Sequence, residues 1–296
     1  MMQQHSNATR LFQRCIHGWL FLYLATALPA YVELWSSPLS PVLAGPPGIF
    51  RAFTHAFDVW LPGALALPVV LIILAIALWG IVDRIPWWAS MIAWLLFTSL
   101  MNRAWLSASG GEQLMANVLF WSIFLSVPER LGSPIDHLAS ARNIVHAATF
   151  WIIRLQLVVA YAVTAIHKLV GHDWIHGYSV GIVASDPDYG PAFLMGHEEL
   201  NMLLTYGILA FQISFPIAIW FNGVRRPWMW LGVAFHLSTA VCFGIPDMAF
   251  AFLAVYPIWF QEGIAEQGNA RWNSMLRLPL KWSGLSKKGS TRTVTS

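Results

Sequence analysis

Positions 60–82 of this chain contain nothing but Trp, Leu, Pro, Gly, Ala, Val and Ile. At about 1.5 Å per helical residue such a stretch spans the roughly 30 Å of a bilayer's hydrocarbon core. A helix apolar on every side has no solvated face to offer a soluble domain. Further apolar runs follow the same rule at 16–32, 87–101, 114–127, 144–168, 202–222, 228–243 and 248–260. With 57% hydrophobic and only 10% charged residues in 296, lipid is the solvent that accounts for the whole chain. The expected fold is an all-α integral membrane protein, a polytopic bundle of about eight transmembrane helices with both termini cytoplasmic. The runs at 87–101, 228–243 and 248–260 are short, which leaves a seven-span or partly re-entrant arrangement open.

Basic residues orient the bundle, because Lys and Arg gather on the cytoplasmic side. Eight spans place Arg10, Arg14, Arg84, Arg130, Arg142, Arg225 and Arg226 on that side. The tail adds Arg271, Arg277, Lys281, Lys287, Lys288 and Arg292. Arg51, Arg103, Arg154 and Lys168 are the exceptions. The pI near 9.0 therefore reflects placement in an inner (plasma) membrane, and no nucleic-acid partner is expected. Residues 1–262 form one transmembrane domain, and 263–296 a basic cytoplasmic tail, partly disordered at its end. Two long outer loops are expected, 33–57 and 169–201; the second carries Asp173, Asp186, Asp188, Glu198 and Glu199 without a Lys or Arg. A signal peptide ending near Ala25-Thr26-Ala27 is an alternative reading of the first run. Cys15 and Cys242 fall at opposite membrane faces, so no disulfide is expected.

Within the run 144–168 the polar residues are in register. Arg154, Tyr161 and Lys168 are seven apart, about two helical turns, and Thr164 lies one turn from both Tyr161 and Lys168. Lipid contact is costly for such a face, which should turn into the bundle or a cavity. Two readings stay open. In one, Arg154 and Lys168 snorkel to opposite interfaces and Tyr161 packs. In the other, Lys168 loses water, which favours its neutral form, and acts as a general base at the outer mouth of a cavity.

The pattern Tyr161-x6-Lys168-Leu169-x4-Trp174-x2-Gly177-Tyr178-Ser179, with Asp173 before the tryptophan, resembles the signature of the vitamin K-dependent gamma-carboxylase group, the horizontally transferred transmembrane (HTTM) domain proteins. Phe235-His236-x6-Phe243-x-Ile245 resembles the helix that follows in that family, and Gly110-Gly111-Glu112-Gln113 is similar to bacterial members. The resemblance covers residues 10–262. It implies a cofactor, a reduced isoprenoid quinone of the vitamin K type, and a base, Lys168. In the carboxylases the matching lysine acts unprotonated on the reduced naphthoquinone, oxygen adds, and a strong base forms that takes a proton from glutamate before carbon dioxide adds. His236 and Glu112 join Lys168 as implied catalytic residues, and Tyr161, Trp174 and Tyr178 as implied cofactor-binding ones. Two departures qualify this. The chain shows no counterpart of the large lumenal portion with which animal carboxylases present glutamates, and Glu112-Gln113 stands where they carry a histidine. The implied partners are membrane lipid, a quinol and a secreted peptide or protein substrate. The alternative is a non-catalytic accessory or maturation protein that binds a lipid or peptide partner. A transporter ranks third, since the chain has no evident duplicated halves.

Other constellations are weaker. His172 and His176 are four apart with His167, Asp173 and His197 near in sequence, but Gly171 and Gly177 oppose a regular helix there and no metal is expected. Asp186-Pro187-Asp188-Tyr189-Gly190 reads as a solvated turn before it reads as a calcium loop. Glu112 either closes the cavity or caps its helix or pairs with Arg103, and Asp247 reads as a helix cap. A phosphate loop, a nucleophile elbow and a Cys-x-x-Cys pair are all missing from the sequence.

Overall fold

The computed structural model describes residues 6–36, 63–104, 107–126, 137–187, 190–260 and 262–276. Most of the outer loop 33–57, Arg51, Arg130, Asp188, Tyr189 and the tail beyond 276 lie outside the described residues. Every regular element among the described residues is helical. The long helices are α1 (Ser6–Ala27), α2 (Ala66–Val82), α3 (Trp87–Arg103), α4 (Gly110–Leu125) and α5 (His137–Leu169). Two short helices, α6 (His172–Ile175) and α7 (Ser179–Ala184), precede α8 (Glu198–Ala218), α9 (Asn222–Cys242), α10 (Pro246–Val255) and α11 (Glu262–Leu276). Each of the eight apolar runs, over most of its described residues, falls on one of these helices. Three segments, Gly63–Val82, Ala141–Leu169 and Glu198–Ala218, are long and apolar enough to cross a membrane.

The surface of α5 shows which solvent the bundle is built for. Trp151, Leu155, Val159, Val163 and Ile166 recur every three or four residues and are exposed, while Phe150, Ile153, Leu157 and Tyr161 are buried. An outward stripe that apolar would be a liability in water and is matched to hydrocarbon.

Helix ends follow local chemistry. Pro86 precedes α3 in an extended conformation, and Pro246 opens α10 at a position whose N–H needs no partner. The orphan carbonyls at the end of α2 are met by Arg10, which donates to Gly80 and Val82 at 3.5 and 3.1 Å. Between α9 and α10, Gly244 takes a φ of 65°, a left-handed conformation that suits glycine. That reversal lays α10 back along α9.

Helix α11 extends order past the expected domain boundary. Arg14, 5% exposed in α1, donates to Asn269 Oδ1 at 2.9 Å and Asn273 Oδ1 at 2.5 Å, and Asn269 donates back to the Asn7 carbonyl at 2.8 Å. Two asparagines one turn apart give acceptors to both Nη atoms of a buried guanidinium, while its Nε has no partner among the described residues. The first part of the expected tail is therefore helix docked on α1.

Candidate functional site

A cavity of about 1210 Å³ opens between α4, α5, α8, α9 and α10, with α6 and α7 at its mouth. Its walls are largely aliphatic and aromatic, including Leu155, Val159, Val163, Ile182, Ile208 and Phe252. Leu155, Val159, Val163 and Ile182 are also exposed on the outer surface, so the cavity has an apolar side opening. Its polar lining is sparse: Gln113, Asn117, Gln156, Tyr161, Thr164, Lys168, Gln212, His236 and Thr239, with Asp173, Ser179 and Asp186 toward the mouth.

Tyr161 sits at the centre of a hydrogen-bonded chain. Its hydroxyl shares a hydrogen bond of 2.5 Å with His236 Nε2 and another of 2.6 Å with the Tyr256 hydroxyl. Phe215 stacks on the Tyr161 ring at 4.0 Å between centroids, and Phe252 lies flat on His236 at 5.0 Å. These contacts fix the rings, so the chain Tyr256–Tyr161–His236 has little freedom to rearrange. Gly232 makes room for it: a Cβ there would collide with the Tyr256 hydroxyl.

The far side of this chain is incomplete. His236 is 2% exposed, and its Nδ1 has no hydrogen-bond partner among the described residues. The same holds for Gln212 Oε1 and Gln156 Oε1. Buried polar atoms without partners are uncommon, and three on the lining of one cavity mark a place for a ligand's polar groups. Because Tyr161 and Tyr256 each carry one proton, the chain can run in either direction. His236 Nδ1 then presents either a proton or a lone pair.

Lys168 lies at the other end of the cavity. It is half-buried in the last turn of α5, with Nζ 4.5 Å from the centre of the Trp174 ring, and no carboxylate pairs with it among the described residues. Gly177, at φ 80°, turns the chain after α6, and a Cβ there would also meet Met202 at 2.6 Å. This turn places Trp174 and Ser179 beside the cavity, which explains the spacing Trp174-x2-Gly177 in physical terms.

Lys168, Tyr161, Trp174 and His236 therefore share one cavity, whereas two expected site residues do not line it. Tyr178 is exposed and stacks on His176, whose ring stacks in turn on His172 at 4.1 Å. Glu112 is 2% exposed but turned into a capping box: it accepts from the Ser109 amide at 2.8 Å and from the Ser109 hydroxyl. Tyr23 and Asp247 flank it, and burial first, then Asp247, push its carboxyl up from the ordinary value against the pull of Ser109. Glu112 stands ahead of the apolar run 114–127 and caps its helix, the role weighed beside closing the cavity. Its neighbours Gly110 and Gln113 line the cavity in its place. Arg103 donates to the Trp35 carbonyl at 3.0 Å. Arg154 shares a helix with the cavity residues and is not part of its lining.

Gln156, Gln212 and Tyr256 were not singled out from the sequence. A glutamine inside an apolar run, as in Phe211-Gln212-Ile213, is a readable signal. Tyr256 carried none, since its role depends on the hydroxyl of a residue 95 positions away.

A family model, the HTTM domain, matches residues 84–263, the stretch that contains this whole cavity. The chain belongs to the HTTM family. Membership, with the three long apolar helices, makes it a membrane protein of gamma-carboxylase-like type. No solved structure matches the chain.

Proposed function

We propose that this HTTM protein is a multi-pass inner-membrane enzyme of eight spans, both termini cytoplasmic, whose cavity opens toward the outer face. In this reading it is a quinol-dependent carboxylase or oxygenase with Lys168 as general base. The observation that carries the proposal is the pairing, in one cavity, of an amine without a carboxylate partner and a buried imidazole with an unpartnered nitrogen.

The lining fits a reduced quinone. Gln156 Oε1, Gln212 Oε1 and His236 Nδ1 are acceptor or donor positions for phenolic hydroxyls, and the exposed aliphatic side opening suits an isoprenoid tail arriving from lipid. Such a group supplies reducing electrons and ionisable hydroxyls. Lys168 Nζ is the proton acceptor, standing where Trp174 shields one side from water. His236, held by Tyr161 and Tyr256, answers a change of charge by shifting a proton along the chain. Gln212 and Gln156 orient what binds. Glu112 holds the end of α4, and so the positions of Gln113 and Asn117, through its cap.

The second reading is an accessory protein that holds a lipid or peptide in the same cavity without chemistry, and the apolar side opening favours it as well. Oxygen uptake by purified protein supplied with a reduced naphthoquinone separates the two. Lys168→Met should remove at least about 100-fold of that uptake, the scale of a lost general base, while leaving thermal unfolding in detergent unchanged. Uptake that survives Lys168→Met, or that never exceeds the protein-free rate, sinks the enzyme reading. Mass spectrometry of copurified lipid for an isoprenoid quinone tests the ligand independently.

A further inference from the structure

About 14 residues, or roughly 20 Å along α5, separate Lys168 from Arg154, which belongs to a second polar cluster at the other end of the bundle. Arg154 is 7% exposed, and its guanidinium carbon lies 4.3, 5.0 and 4.8 Å from the ring centres of Phe150, Trp151 and Trp259. Its Nε donates to the Ile258 carbonyl at 3.0 Å. The two Nη atoms have no partner among the described residues and are not sealed from the surface. Arg225, in the first turns of α9, reaches the same indole: its guanidinium carbon is 5.6 Å from the Trp259 ring centre, with Nε donating to the Ile219 carbonyl at 2.8 Å and one Nη to the Trp220 carbonyl at 3.4 Å, which leaves the other Nη spare among the described residues. No carboxylate pairs with either arginine among the described residues. Two guanidinium groups thus converge on one buried tryptophan with spare N–H donors and no anion to neutralise them.

The surroundings decide what kind of anion fits. Trp151 and Trp220 stack at 6.1 Å with ring planes 11° apart, and both are exposed, as are Ile217 and Phe221 beside them. A free anion has no use for that apolar rim, whereas a phospholipid lays its chains on it and its phosphate between the arginines. The guanidinium fork suits phosphate oxygens, and tryptophans of this kind sit at the headgroup level.

We propose that Arg154, Arg225 and the Trp151–Trp220 stack form a binding site for the headgroup of an anionic phospholipid, on the membrane face opposite Lys168 and separate from the cavity. The site anchors the middle of α5 and the adjoining ends of α8 and α9 to the lipid.

Native mass spectrometry of the full chain in detergent, titrated with phosphatidylglycerol or phosphatidylcholine, tests it. Wild-type protein should retain phosphatidylglycerol in preference to phosphatidylcholine by about tenfold or more, the equivalent of one good charged contact. Arg225→Gln should lose about tenfold of that retention, and Arg154→Lys, which keeps the charge and removes the fork, a comparable amount. Arg271→Gln, which alters an exposed arginine on α11, should change it less than twofold, by the logic of a site rather than a diffuse field. Equal retention of the two lipids overturns the proposal, as does full retention in Arg225→Gln or an equal loss in Arg271→Gln. Displacement of phosphatidylglycerol by millimolar inorganic phosphate overturns it too, by showing that the arginines take a free anion. If Arg154→Lys fails to fold, Arg225→Gln decides alone.

Discussion

Glu112 and His236 are both 2% exposed polar residues near one cavity, yet they end in opposite conditions. Glu112 sits at the start of α4, where Ser109 returns two hydrogen bonds to its carboxylate and the helix end uses the charge. His236 sits mid-helix on α9, where the local backbone is already bonded, and among the described residues only Tyr161 hydrogen-bonds its ring, at Nε2. Its other nitrogen is left over. The lesson is that burial alone does not mark a functional group. A polar side chain whose bonding capacity is consumed by its own helix end supports the fold, and one left partly unmet on a cavity wall is available to a ligand.

The comparison can be broken from either side. The largest effect should come from His236→Ala, which removes the spare nitrogen and leaves the Tyr161 hydroxyl with Tyr256 alone. Oxygen uptake with a reduced naphthoquinone should fall by about 100-fold or more, and an unchanged rate would make His236 no more than packing. Next in size, Gly232→Ala drives a methyl into the Tyr256 hydroxyl, and denaturant titration in detergent should read a loss of about 1–3 kcal/mol. A neutral result there would show that Tyr256 has room to move and that its bond to Tyr161 is not held. Ser109→Ala removes the hydroxyl that caps Gly111 and gives Glu112 one of its two bonds from Ser109, and should cost about 1 kcal/mol in the same titration, with uptake per folded molecule preserved. Loss of uptake without loss of stability would return Glu112 to the chemistry. The smallest stability change belongs to Gln212→Leu, within about 0.5 kcal/mol, since its Oε1 has no partner to lose. Its ligand retention should nevertheless drop about tenfold.

Much of this arrangement was legible along the chain. Most of the described length of every apolar run is helix, because in hydrocarbon a backbone must satisfy itself, and length and composition were sufficient to say so. The seven-residue spacing put Tyr161 and Lys168 on the cavity, and Gly171 and Gly177, which oppose a regular helix there, bound a helix of only four residues, with Gly177 at a φ of 80°. Arg154 turns into the bundle as the seven-residue register expects, at 7% exposed, but does not line the cavity. Its register with Tyr161 is real, but over two turns the neighbours change, and the ring of Trp259, from a distant helix end, encloses it instead. Glu112 was open between capping its helix and closing the cavity, and the bonds from the Ser109 amide and hydroxyl show that the cap takes its carboxylate.

Sequence by itself determined the solvent, the helices and the faces they present, since these depend on composition and on periods of a few residues. Tertiary structure alone decided which buried polar groups are answered. Tyr161, Gln212, His236 and Tyr256 come from four separate segments, and whether a donor meets an acceptor depends on distances of a few tenths of an ångström set by how those helices pack.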